Sequence, residues 1–76
     1  VLVKNNVISD STSRGIYVLD ASHDGVIEGN TITNAGSIGI SIKDSDYFYL
    51  GNNTVSGSDN YDLKFDRTTI GNSAKN

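Results

Sequence analysis

The chain of 76 residues contains no cysteine, no proline, no methionine and no tryptophan. Without cysteine, neither a disulfide framework nor a thiolate metal site can reinforce a core that is small at this length. The same absence fits an extracellular or periplasmic repeat protein without requiring one. Without proline the chain is not a proline-rich linker. The missing methionine points to a segment of a longer chain, with any export signal upstream, because the first residues lack the charged and apolar regions of a signal peptide. Helix formers are also scarce. Glu28 is the only glutamate, glutamine is absent, and alanine occurs only at Ala21, Ala35 and Ala74. The longest apolar runs, Ile16 to Leu19 and Tyr47 to Leu50, are four residues each and far too short to span a bilayer. Six basic residues against nine acidic ones leave a formal charge of −3. The basic residues are scattered, which argues against nucleic acid as a partner, since phosphate binding needs concentrated positive charge.

What the chain does have is isoleucine, valine and threonine, punctuated every few residues by glycine, asparagine, serine and aspartate. That pattern reads as short strands joined by turns. The strands repeat. Val3-Lys4-Asn5-Asn6-Val7-Ile8 is followed by Ile27-Glu28-Gly29-Asn30-Thr31-Ile32 and then by Leu50-Gly51-Asn52-Asn53-Thr54-Val55. Nine residues after Asn6, Asn30 and Asn53 a further phrase begins: Gly15-Ile16-Tyr17-Val18, Gly39-Ile40-Ser41-Ile42 and Asp62-Leu63-Lys64-Phe65. The asparagines lie 24 and then 23 apart. Constant spacing within each unit, with the variation confined to one turn, is the behaviour of a solenoid whose strands stack in register.

The expected fold is therefore all-β: a right-handed parallel β-helix of about three coils of 22–24 residues, with three short strands per coil. Residues 1–66 form the coils, in repeats of about 2–25, 26–48 and 49–69, and 67–76 form a partial coil or C-terminal tail. Ile70-Gly71-Asn72 is a candidate start for a fourth coil. Four apolar columns follow: Val3, Ile27 and Leu50; Ile8, Ile32 and Val55; Ile16, Ile40 and Leu63; Val18, Ile42 and Phe65. Period-two alternation turns these inward and turns Tyr17, Ser41 and Lys64 outward. Asn6, Asn30 and Asn53 form a further column at a turn, where asparagine tolerates the left-handed backbone conformation and stacked amides form a ladder. An antiparallel sandwich of hairpins is the competing fold, but it leaves the nine-residue interval unexplained.

The phrases Gly29-Asn30-Thr31-Ile32 and Gly39-Ile40-Ser41-Ile42 resemble the parallel β-helix repeat of the pectate-lyase-like superfamily. The resemblance covers residues 2 to about 66 and concerns the fold more than the activity. It implies relatives among polysaccharide lyases, alginate epimerases, glycoside hydrolases, phage tailspikes and periplasmic accessory proteins of copper enzymes. It also implies an extracellular, periplasmic or virion-surface location. The Asp-Pro-His-Glu motif of alginate epimerases is missing, as a chain without proline requires. A single histidine, with no methionine or cysteine, is poor provision for direct copper binding. No cofactor and no metal site are expected.

Relatives of this fold often line a polysaccharide cleft with the sheet that contains the Tyr17 strand. The resemblance thus makes Tyr17, Ser41, Lys43, Asp62, Lys64 and Asp66 the candidate carbohydrate-binding residues. Tyrosine can stack on a sugar, lysine can neutralise a uronate carboxylate, and aspartate can bind hydroxyls or act as a base. The plainer reading is a solvated sheet face charged for solubility. Asp20, His23 and Asp24 invite a general-base reading, but Ser22-His23-Asp24-Gly25 reads more simply as a polar turn before a strand at Val26, aligned with Ser45-Asp46-Tyr47. Leu2, Val26 and Tyr49, with Tyr47 nearby, form an exposed apolar column suited to packing against protein or saccharide, whereas Phe48 is expected inside. Asn52-Asn53-Thr54 matches a glycosylation acceptor but sits beside the ladder turn.

The function these features favour is a coil segment of a carbohydrate-binding or polysaccharide-modifying extracytoplasmic protein, a lyase, epimerase or hydrolase whose catalytic site lies mostly elsewhere. The alternative is a noncatalytic β-helical stalk or receptor-binding module, as in a tailspike or adhesin. Expected partners are polysaccharide, and further coils or caps of a parent chain or self-association, including trimers.

Overall fold

The computed structural model describes residues 1–19, 23–66 and 73–75. Ten strands follow one another: β1 (Leu2–Lys4), β2 (Val7–Ser9), β3 (Arg14–Leu19), β4 (His23–Glu28), β5 (Thr31–Thr33), β6 (Ile38–Lys43), β7 (Asp46–Gly51), β8 (Thr54–Ser56), β9 (Tyr61–Asp66) and β10 (Ser73–Lys75). Every third strand stacks on its predecessor. Sheet A runs β1-β4-β7-β10, sheet B runs β2-β5-β8 and sheet C runs β3-β6-β9, with every pairing parallel. This is a parallel β-helix of three coils, and β10 opens a fourth by pairing Ala74 with Leu50.

The register places each apolar column as the repeat predicts. Val3 pairs with Ile27 and Ile27 with Leu50; Ile16 pairs with Ile40 and Ile40 with Leu63. The middle coil is buried from both sides: Ile27 and Ile42 are fully covered, and Ile32, Ile40, Phe48 and Leu50 nearly so. Val3, Ile8, Val55 and Leu63 pack against this cluster from the outer coils and are half-buried. Gly25 has a steric reason to be glycine. A Cβ there would stand 2.0 Å from the Phe48 ring, which occupies the core directly above it.

Left-handed residues stack at the corners. Asn5 (φ 56°), Gly29 (φ 69°) and Asn52 (φ 53°) form one such column, and Asp10 (φ 57°), Asn34 (φ 58°) and Gly57 (φ 73°) another. Asparagine, aspartate and glycine are the residues that enter this region at least cost. The sequence places the left-handed conformation on Asn6, Asn30 and Asn53. The structure puts it one residue earlier, which leaves those three free to turn their amides along the stack. Asn6 Nδ2 donates to Asn30 Oδ1 at 3.0 Å, and Asn30 Nδ2 donates to Asn53 Oδ1 at 2.9 Å. The backbone N–H groups of Asn6 and Asn30 donate to the same two oxygens at 2.9 and 3.0 Å. The second amide proton goes to a carbonyl, from Asn30 to Val3 at 3.1 Å and from Asn53 to Ile27 at 2.9 Å.

A second correction concerns β4. The strand already begins at His23, which pairs with Asp46, so three of the four residues of the expected Ser22–Gly25 turn belong to β4, and Ser22 lies outside the described residues. Turn-like geometry survives inside the strands as single left-handed residues, Asp24 (φ 62°) and Tyr47 (φ 58°). The one-residue difference in repeat length is confined to the corner between sheets C and A. Three residues separate β3 from β4, and two separate β6 from β7. Ile70-Gly71-Asn72 lies outside the described residues.

Candidate functional site

On sheet C, Ile16, Val18, Ile40 and Ile42 face the core, so the alternation leaves Tyr17, Ser41 and Lys64 in one outer row, paired strand to strand. Leu19, Lys43 and Asp66 form the row two residues on. Asp62 is exposed and holds the position of Gly15 and Gly39 in the earlier coils. Two rows are thus brought together as the sequence arranges them. Their accessibility differs, however. Tyr17 is exposed and Lys43 and Lys64 are half-buried, whereas Ser41 is only 3% exposed. A short side chain on the central strand is overshadowed by the long ones on either side. Ser41 therefore lies low on this face, between the longer side chains of the neighbouring strands.

A third row on the same sheet, Arg14, Ile38 and Tyr61, escapes the sequence reading. The Arg14 guanidinium lies 4.0 Å from the centroid of the Tyr17 ring, and the Lys64 ammonium lies 4.9 Å from that of Tyr61. Both separations are within cation–π range. Ile38 is buried although it stands outside the core cluster, because it lies between Arg14 and Tyr61 on the neighbouring strands. The signal was available: Arg14, Ile38 and Tyr61 each stand eight positions after a ladder asparagine. What hid the row is that its three residues share no chemistry.

The result is a shallow surface on which Arg14 covers Tyr17 and Lys64 covers Tyr61, with the buried Ser41 on the strand between them. The described residues enclose no pocket, and the face is open. On sheet A the outer row contains Leu2 at 68% exposure, half-buried Val26 and exposed Tyr49, with Tyr47 exposed nearby and Phe48 buried. His23 opens β4 opposite Asp46, and Asp24 is exposed beside it. Asp20 lies outside the described residues. Asn52 and Thr54 are both exposed, and the intervening Asn53 is taken up by the ladder. No helix among the described residues is long and apolar enough to cross a membrane.

No curated protein and no solved structure matches the chain. A family model does match, across residues 1–76, and its description is "Periplasmic copper-binding protein (NosD)". A periplasmic family agrees with an extracytoplasmic location for a β-helix of this composition. The match covers every coil described above, and the chain belongs to the NosD family.

Proposed function

We propose that this stretch is a carbohydrate-binding coil segment of an extracytoplasmic β-helix protein, and that it carries polysaccharide along the outer face of sheet C. The observation that supports this reading is the pair of cation-capped tyrosines, Arg14 on Tyr17 and Lys64 on Tyr61, set on one open face. Each ring holds its cation in place, so less side-chain entropy is lost when the cation meets a carboxylate. Lys43 adds a third positive charge in the next row. In this reading the segment contributes binding, and any bond-breaking chemistry of the parent protein resides in other residues.

The family's description names copper, and the donors of this stretch do not fit it. Copper sites are built from imidazole, thiolate and thioether groups in close array. The chain has one histidine and no cysteine or methionine, and the described residues hold no group of three His, Cys, Asp or Glu side chains. A noncatalytic stalk is the second reading, favoured by open faces that enclose no pocket among the described residues. Calorimetric titration with acidic oligosaccharides separates the two. The carbohydrate reading expects saturable binding that weakens severalfold in Lys64→Ala and Tyr17→Ala and declines with added salt. Binding indifferent to both substitutions would count against sheet C, and absence of binding would favour the stalk.

A further inference from the structure

The outer face of sheet A differs from that of sheet C in what its tyrosine rests on. A Cβ built at Gly51 would lie 2.6 Å from both Cε2 and Oη of Tyr49 and 2.8 Å from Cζ. The Tyr49 side chain therefore reclines along its own strand, its phenol end occupying the space that a side chain at position 51 would fill. Gly51 is glycine because Tyr49 lies on it. The ring remains 39% exposed. Both sheet C tyrosines carry a cation on the ring, whereas no described cation stands over Tyr49.

The next row supplies polar groups at the phenol end. Glu28 pairs with Gly51 in the ladder, and Lys4 pairs with Glu28. Lys4 Nζ stands 3.7 Å from Glu28 Oε1, and both side chains reach solvent. The apolar row Leu2, Val26, Tyr49 and the polar row Lys4, Glu28, Gly51 are two residues apart, about 7 Å along the strands. A recumbent ring with donors and acceptors at one edge suits a pyranose, whose C–H face covers the ring while its hydroxyls reach the polar row. A protein partner would need roughly 800 Å² on each side. Among the described residues the row crosses the four strands of sheet A, about 14 Å in all, a strip on the scale of a short saccharide and far smaller than that.

We propose that Tyr49, laid over Gly51 and bordered by Lys4 and Glu28, is a second saccharide contact, selective for a neutral pyranose with a flat C–H face. The proposal rests on the carbohydrate reading above, but it concerns a different sheet and a different class of sugar.

The test titrates the full chain with a neutral β-1,4-linked glucohexaose and, separately, with an acidic oligouronate. Tyr49→Ala should weaken the neutral oligosaccharide by about fivefold or more, the scale of one aromatic contact, and leave the oligouronate unaffected. Tyr49→Phe should retain most of the neutral binding. Gly51→Ala, which displaces the ring but keeps the tyrosine, should reproduce the loss and covers the case in which Tyr49→Ala folds poorly. Neutral binding that survives Tyr49→Ala and Gly51→Ala overturns the platform, and oligouronate binding that still depends on Lys64 leaves the sheet C reading standing. No binding of either sugar overturns both. A change in sedimentation of Tyr49→Ala without a change in sugar affinity also overturns the platform, and identifies the face as a protein contact.

Discussion

At the scale of single residues, the asparagine ladder has the most specific chemistry. Asn30 is 1% exposed and uses its whole amide: the oxygen accepts two bonds from Asn6, and the nitrogen donates to Asn53 and Val3. Asn30→Ala removes four hydrogen bonds, one buried and three part-buried, and takes a donor from Asn53 Oδ1 and from the Val3 carbonyl, at a cost of about 1–3 kcal/mol for each group left unsatisfied. We expect a loss of about 3 kcal/mol or more, read as a lower midpoint in thermal or urea unfolding. Affinity of the folded fraction for acidic oligosaccharide should not change, because the amide faces neighbouring coils. Selective loss of binding with normal stability would give Asn30 a ligand role instead. Gly25 makes a complementary case from sterics alone. A methyl group there meets the Phe48 ring at 2.0 Å, an overpacking that costs about 1–3 kcal/mol. Gly25→Ala combined with Phe48→Leu should recover part of that loss, since the two changes act on one contact. A double variant no more stable than Gly25→Ala would mean that the ring moves aside.

At the scale of the element, strands and corners differ in how they accept an extra residue. One glycine inserted after Asp44 lengthens the corner between β6 and β7 to three residues, the length already used between β3 and β4. The cost should stay near 1 kcal/mol, the scale of one hydrogen bond such as that of the Ser45 hydroxyl to the Lys43 carbonyl in this corner. One glycine inserted between Ser37 and Ile38 shifts β6 by a residue and turns Ile40 and Ile42 away from the core, because the side-chain period is two. Circular dichroism should show the first variant folded and the second not. The same distinction decides what could be read from the sequence. Columns such as Ile16, Ile40 and Leu63 were legible because burial imposes one chemistry on every coil. The left-handed corners were displaced by one residue because Asn5 and Asn6, or Asn52 and Asn53, are identical in type and only hydrogen bonding tells them apart. The row of Arg14, Ile38 and Tyr61 was invisible because an outer face imposes no common residue type, and Ser41 looked available because alternation gives direction but not depth. Tyr49 over Gly51 could not be foreseen, since the exposed column says nothing about how a ring reclines.

At the scale of the molecule, the coil stack has sides that are closed by burial and strand edges that are not. In the first coil β1, β2 and β3 each pair on one side only, and among the described residues so do β8 and β9 at the other end. Burial follows this asymmetry. Ile42 is fully covered, whereas Phe65 in the same column is 36% exposed; Ile32 is 1% exposed, whereas Ile8 and Val55 on either side are half-buried. Successive coils are about 4.8 Å apart, so most core residues of three coils lie within one spacing of an end. Open parallel edges with apolar residues behind them recruit further strands unless a cap or another coil covers them. A polypeptide of these 76 residues alone should therefore associate, with a scattering mass above the 8.1 kDa monomer that falls on dilution. Where it associates can be located. Ile8→Lys with Phe65→Lys places a charge at each end of the stack and should reduce association, whereas Tyr49→Ala, on the side of sheet A, should not. Association abolished by Tyr49→Ala and indifferent to the lysines would move the contact from the ends to that side. A cooperative monomer whose unfolding is independent of concentration would show that the exposed edges are covered within the chain itself, and the stack would then need a cap formed by its own residues.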